Sequence, residues 1–161
     1  MLAVVGRNYR LGGHREASRR AFQRAIAIRT EVVKQDSSRR FSLAQLYFET
    51  EQWQVAYDII RKLKTMGPGQ RIIFAIAAAH VGDTATALAV LGGLEGSDRR
   101  TEADLDRALI QIALGRREDA LSSLRAAIDA GVVPSFTGWY VRPELNPLRG
   151  DPRFEALIRP Q

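Results

Sequence analysis

The chain has 161 residues, 45% hydrophobic and 26% charged, with no cysteine, two histidines and a formal net charge of +6. That length suits one domain with a continuous core. The absence of cysteine excludes disulfides, thiolate metal sites and a cysteine nucleophile. His14 and His80 lie too far apart in the chain to suggest a histidine metal site, so neither metal nor cofactor is expected.

No apolar run approaches the ~18–20 residues of a membrane span, so no membrane partner is expected. The opening MLAVV has no basic segment ahead of it and is not a signal peptide. A cytoplasmic protein is the expectation if the chain is complete at Met1. Helical patterning from the first residue also leads us to expect further chain upstream. The charge is unevenly placed: residues 1–40 hold ten Lys/Arg against Glu16, Glu31 and Asp36, whereas residues 41–161 hold fourteen against fifteen Asp/Glu.

From the N-terminus, residues 1–34 read as two helices, with Gly6 and Tyr9 in the first and Gly13 at the turn. Ser18, Phe22 and Ala25 belong to a longer second helix reaching Lys34. Residues 37–68 repeat the pattern. Ser37 or Ser38 caps a helix over Phe41–Phe48, Leu43, Ala44 and Tyr47 share one face, and Ala56, Ile60 and Leu63 share a face of the next helix. Pro68 closes this unit, because proline can neither donate a backbone hydrogen bond nor continue a helix. Residues 69–98 give Ala75, a turn at Gly82 with Asp83 as cap, then Ala87, Leu91 and Leu94. Gly92-Gly93 weakens that last helix by ~1 kcal/mol per glycine. In residues 101–131, Thr101 with Asp104 forms a capping-box pattern, followed by Ala108, Gly115, Ala120, Leu124, Ala127 and a C-cap at Gly131. The early small residue of each second helix recurs at Ser18, Ala56, Ala87 and Ala120. Their spacing is close to the period of ~34 residues of stacked helical hairpins, each too small to bury its own apolar face.

After Gly131 the texture becomes proline-rich. Asp151-Pro152 signals an N-cap followed by proline at the first helical position, with a short helix from Pro152 to Arg159. Residues 132–161 are read as a cap in which Trp139, Tyr140, Leu145, Leu148, Phe154 and Leu157 cover the last hairpin; a Trp/Tyr ligand cage is the alternative.

The recurring small, aromatic, small and bulky positions over residues 1–131 resemble the tetratricopeptide repeat (TPR) family. The NPLRGDPRFEALI stretch is similar to the tail that closes TPR regions of bacterial multidomain regulators. The family's first-helix Trp is absent throughout, and the third repeat lacks the Tyr. The resemblance implies an all-α, right-handed α-solenoid of about four helix-turn-helix repeats with a C-terminal capping helix, whose first helices line a concave groove. Carried over, the groove positions are Arg7 and Arg10, then Phe41, Gln45, Phe48 and Glu49, then Ile73, Ile76, Ala79 and His80, then Asp106, Leu109 and Ile112. The Lys–Asn set of the family's carboxylate clamp is missing.

No phosphate-loop, dinucleotide, zincin or nucleophile-elbow motif occurs, so a non-enzyme is expected. The expected role is that of a scaffold or sensor region binding a peptide or protein, with an acidic end toward the arginines. Phe48→Ala or Ile76→Asp is then expected to weaken binding while leaving the array folded. Self-association is the alternative. Nucleic-acid binding through Arg15, Arg19, Arg20, Arg24 and Arg29 is a weaker reading, since no stacking aromatics accompany them.

Overall fold

A computed structural model describes residues 1–94, 100–131 and 143–158, with the side chains of 100–102 excepted. Among these residues the secondary structure is entirely helical, with no strand. The helices are α1 (Leu2–Leu11), α2 (Arg15–Gln35), α3 (Arg40–Glu49), α4 (Trp53–Ile60), α5 (Pro68–His80), α6 (Thr84–Gly93), α7 (Arg100–Ala113), α8 (Arg117–Asp129) and α9 (Pro152–Ile158). Short 3-10 turns occupy Ser37–Arg39 and Pro143–Leu148. Two compact units, Met1–Ala77 and Ala78–Gln161, divide the chain at a point inside α5.

One turn design recurs four times. Gly13, Glu51, Gly82 and Gly115 all have left-handed backbone, with φ of 77°, 60°, 87° and 73°. Each donates its N–H to the carbonyl three residues back, and the next residue donates to the carbonyl five back, as His14 does to Tyr9 and Arg116 to Gln111. This paired bonding is a Schellman closure, which satisfies carbonyls left open at a helix end. The residues that follow, His14, Gln52, Asp83 and Arg116, start the next helix with φ/ψ of −81/68°, −85/64°, −79/68° and −84/70°. Of these four, Asp83 adds a side-chain cap, its Oδ1 accepting from the Thr86 N–H at 3.1 Å.

In the N-terminal unit α1 packs on α2, α2 on α3 and α3 on α4. A Cβ added at Gly6 would meet the Phe22 ring at 2.8 Å, so the small residue is what lets α1 approach α2. The Ser18 hydroxyl donates to the Gly6 carbonyl at 2.8 Å and remains satisfied although buried. Phe22, Ala25 and Leu46 form a core cluster flanked by Leu2, Ala3 and Ile26. Three sequence expectations give way here. Neither Ser37 nor Ser38 caps α3, which starts after Arg39 with no side-chain cap; Asp36 instead caps the 3-10 turn before it, accepting from the Ser38 N–H at 3.0 Å. Helix α4 stops at Ile60, where Lys62 and Leu63 bond back three residues and tighten the last turn, so Leu63 lies outside the helix. Pro68 begins α5 instead of closing the hairpin, a position at which its missing N–H costs nothing.

In the C-terminal unit α7 packs on α8, and both α6 and the Pro143–Leu148 turn contact α7. Helix α7 starts at Arg100, ahead of Thr101, so Thr101 is not its N-cap; Asp104 Oδ1 instead accepts from Arg107 at 2.7 Å. Gly131 has the left-handed backbone expected of a helix end. The terminal segment is anchored on α7 and α8 by Leu145, Leu148 and Phe154, all buried. Trp139, Tyr140 and residues 132–142 generally lie outside the described residues.

An ionic clamp completes this anchor. Arg153 makes a two-pronged contact to Glu118, at 2.6 and 2.9 Å, and reaches Asp151 Oδ2 at 2.9 Å. Arg117 donates to Asp151 Oδ2 at 3.0 Å and to the Pro147 carbonyl at 2.9 Å. Hydrogen bonds from the Arg153 side chain and backbone N–H, then from Arg117, hold the Asp151 carboxyl well below its usual range, against the opposing effect of burial. The Arg153 contact also lowers Glu118, while Glu118 and then Asp151 hold Arg153 firmly protonated. The Asp151 side chain is nearly enclosed and that of Glu118 is open to water. Solvent therefore screens the Glu118 arm far more than the Asp151 arm.

The turn geometry sets the first expected outcome. Glu51→Gly relieves a left-handed glutamate and raises stability by about 1 kcal/mol, whereas Gly82→Ala lowers it by a similar amount. Urea denaturation reads both, and a lowered midpoint for Glu51→Gly contradicts the strain. The clamp sets the second. Because the Asp151 pKa is depressed on folding, its contribution is complete above the ordinary Asp value of 3.8 and is lost as pH falls below it toward the native value. The acid limb of the stability–pH curve should therefore be shallower in Asp151→Asn than in the wild type; parallel limbs would show the clamp to be energetically silent.

Candidate functional site

Several of the groove positions meet in the N-terminal unit. Helix α2 has 21 residues and its neighbour α1 has 10, a difference of about 16 Å at ~1.5 Å per residue. The two are joined by the tight turn at Gly13, so they run antiparallel and the later turns of α2 extend beyond Leu2. There an open cleft of about 370 Å³ lies between Met1–Ala3 and Arg7 on the α1 side, Ala25, Ile28 and Arg29 of α2, and Ser42, Gln45, Leu46 and Glu49 of α3. Its walls alternate in chemistry: Ile28, Leu46 and Leu2 are apolar, while Arg7, Arg29, Gln45 and Glu49 are polar or charged.

The arginines of α1 are already engaged. Arg7 donates to Glu49 Oε1 at 2.6 Å. Arg10 donates to the Glu49 backbone carbonyl and lies over the Phe22 ring, 5.0 Å from its centroid. The excess of arginine read from the sequence is thus partly neutralised at this point by Glu49. Arg29 differs: among the described residues it makes no ion pair or hydrogen bond through its side chain, and it is half-buried at the cleft wall. The sequence placed it on a solvated outer face. The sole signal that would have moved it is its helical phase, two turns after Phe22 on the buried side of α2.

The other predicted positions separate into two groups. Phe41 and Ile73 are half-buried and His80 is exposed. Phe48, Ile76 and Leu109 are only 4%, 1% and 2% exposed. Phe48 packs edge-to-face on Trp53, with ring centroids 5.0 Å apart. These three present no surface to a partner in this structure. The expectation that Phe48→Ala or Ile76→Asp spares the fold is therefore corrected: their apolar faces are taken up by packing. Tyr57 and Phe74 stack at 5.3 Å in the same unit as Phe48, linking α4 to α5.

A second cleft, of about 440 Å³, lies between the end of α2 and helices α3 and α4, lined mainly by Val33, Leu43, Val55 and Ile59 with Arg40, Asp58 and Lys62 at its edge. It contains none of the predicted positions. Among the described residues no three His, Asp or Glu side chains gather as a metal site would require. Neither do they include a helix long and apolar enough to cross a membrane. No protein family, curated protein or solved structure matches the chain.

Burial sets the expected effect of the corrected positions. Phe48→Ala should cost about 3–5 kcal/mol of stability, through lost transfer energy and the cavity left behind. Ile76→Asp should leave the protein largely unfolded, because it buries an unpaired charge. Chemical denaturation monitored by circular dichroism checks both; a wild-type midpoint for either would put that side chain back on the surface.

Proposed function

We propose that this chain is a non-catalytic protein-interaction module: an α-solenoid of about four tetratricopeptide-type hairpins with a C-terminal cap, binding a peptide or a segment of another protein. What supports the hairpin reading is the fourfold turn at Gly13, Glu51, Gly82 and Gly115, with its matched dihedrals. The spacing of those turns also falls near the ~34-residue period of stacked hairpins. The single observation that carries the binding reading is the cleft of the N-terminal unit, where Arg7 and Gln45 come together with exposed and half-buried apolar side chains on folded helices. Clefts that combine apolar walls with a few fixed polar groups suit the burial of a ligand's side chains, with the polar groups setting orientation. The role is that of a scaffold or sensor region.

Self-association is a second reading, favoured by one feature of α1. Val4 and Leu11 of that helix, and Met1 just ahead of it, are exposed, apolar surface that a second copy of the chain would cover.

A random peptide library displayed against the immobilised protein should return binders whose affinity drops at least tenfold in Gln45→Trp, a change that fills the cleft, with circular dichroism unaltered. A library returning nothing above background overturns the binding reading. Light scattering of the same protein decides the second: a mass of one chain at all concentrations removes it.

A further inference from the structure

We infer that the cleft between α1, α2 and α3 selects an amphipathic peptide carrying a carboxylate flanked by aliphatic side chains, with Arg29 as the carboxylate's partner and the exposed Ile28 as the apolar contact. The inference deepens the peptide-binding reading above and rests on it.

Three observations converge on this occupant. The first is charge. The N-terminal unit, residues 1–77, holds fourteen Lys/Arg against six Asp/Glu, while residues 78–161 hold ten against twelve. Within the cleft, the charge of Glu49 is met by Arg7 at 2.6 Å. Arg29 remains without a carboxylate among the described residues, so the lining carries a net positive charge at that wall. A guanidinium presents a planar fork of donors that fits a carboxylate with two parallel hydrogen bonds, and the pairing is stronger where water is partly excluded.

The second is the apolar surface beside it. Ile28 is 52% exposed and adjoins Arg29 in the chain, and both belong to the lining. One helical turn earlier Ala25 is 8% exposed, in the core cluster beside Leu2 and Ala3. The stripe that packs against α1 and α3 therefore continues uncovered into the cleft. Covering an isoleucine of this kind returns roughly 25 cal/mol per Å² of apolar area, which gives an aliphatic side chain a reason to enter next to the carboxylate.

The third is size and shape. At about 370 Å³ the cleft lies near the lower end of the ~300–1,000 Å³ range of ligand sites, enough for a few side chains from one face of a peptide and not for a folded domain. Because the polar groups come from three different helices, the position of the charge relative to the apolar wall is fixed by the packing and not by a mobile loop.

The test uses the full chain and the peptides selected from the library. Binders should be enriched in Asp or Glu placed between aliphatic residues. For the tightest synthetic peptide, replacing that acidic residue by its amide should weaken binding at least tenfold to the wild type and less than threefold to Arg29→Gln, the signature of a coupled pair. Ile28→Asp should abolish binding, and since that side chain is exposed its circular dichroism and urea midpoint should remain wild-type. Peptides that bind in the cleft without an acidic residue, or losses that simply add between peptide and protein variants, overturn this inference and leave the peptide-binding reading standing. Failure to select any peptide removes both. An oligonucleotide whose binding is lost in Arg29→Gln, or a dimer dissociated by Ile28→Asp, would assign the cleft to another occupant and likewise overturn it.

Discussion

Everything in this fold depends on how closely paired helices can approach, and small residues set that distance. Gly6 shows it most directly, since a single added carbon there would collide with the Phe22 ring. Ala44 and Ala56 of the α3–α4 pair and Ala108 and Ala120 of the α7–α8 pair, at the matching positions, are all 0% exposed. One turn beyond each second-helix small residue comes a bulky one, Phe22, Ile60, Leu91 or Leu124, and all four are buried. Close approach brings backbone polar groups together in a dry place, and Ser18 replaces alanine in the first hairpin with its hydroxyl bonded to the Gly6 carbonyl. The left-handed turn makes the approach possible by reversing the chain within a few residues while leaving the last carbonyls bonded.

Both units pair some arginines with carboxylates across elements, as Arg7 does with Glu49 in the first, and leave others without such a partner among the described residues. In the C-terminal unit arginines are taken up by carboxylates on neighbouring elements, Arg117 by Asp151 and Arg153 by both Glu118 and Asp151, and the result is attachment of a short terminal helix. A helix as short as α9 has little stability alone; Phe154 and the clamp hold it. In the N-terminal unit Arg15, Arg19, Arg24, Arg29 and Arg40 have no carboxylate partner among the described residues. Leaving exposed arginines solvated costs the fold little, because exposed ion pairs contribute only ~0–1 kcal/mol. In general a field of one sign speeds and orients the approach of a chain of opposite charge.

Much of the architecture is legible in the sequence because it is written in local chemistry. Gly13, Gly82 and Gly115 mark turns since only glycine enters left-handed backbone at no cost, and the small and bulky positions at 18/22, 56/60, 87/91 and 120/124 mark the seam. The fourth turn is harder to place, because Glu51 adopts that backbone without being glycine. The end of α4 is also hidden: Leu63 continues the apolar spacing, yet the last turn tightens before it and Pro68 restricts the residue ahead of it. The candidate site is less legible for a physical reason. Periodicity identifies an apolar stripe but not which neighbour covers it, so Phe48, Ile76 and Leu109 read equally well as groove or core, and Trp53 decides the matter for Phe48. Arg29 escapes because arginine in a basic run reads as solvated surface.

What covers each turn of a helix, more than its composition, divides structural from available side chains in the N-terminal unit. Helix α2 carries one continuous stripe through Ser18, Phe22 and Ala25 and onward to Ile28 and Arg29. Over its first half that stripe is buried and contributes to the core. A turn later the same stripe becomes the wall of a cleft, although nothing in the residues of α2 announces the change. Phe22 and Ile28 are both large and apolar, yet one is fixed under Gly6 and the other is half open to water. Replacing Phe22 would therefore be felt by the hairpin, whereas replacing Ile28 would leave the core cluster intact. Arg29 and Ile28 adjoin in that wall, and α3 supplies Ser42, Gln45, Leu46 and Glu49 to the same cleft.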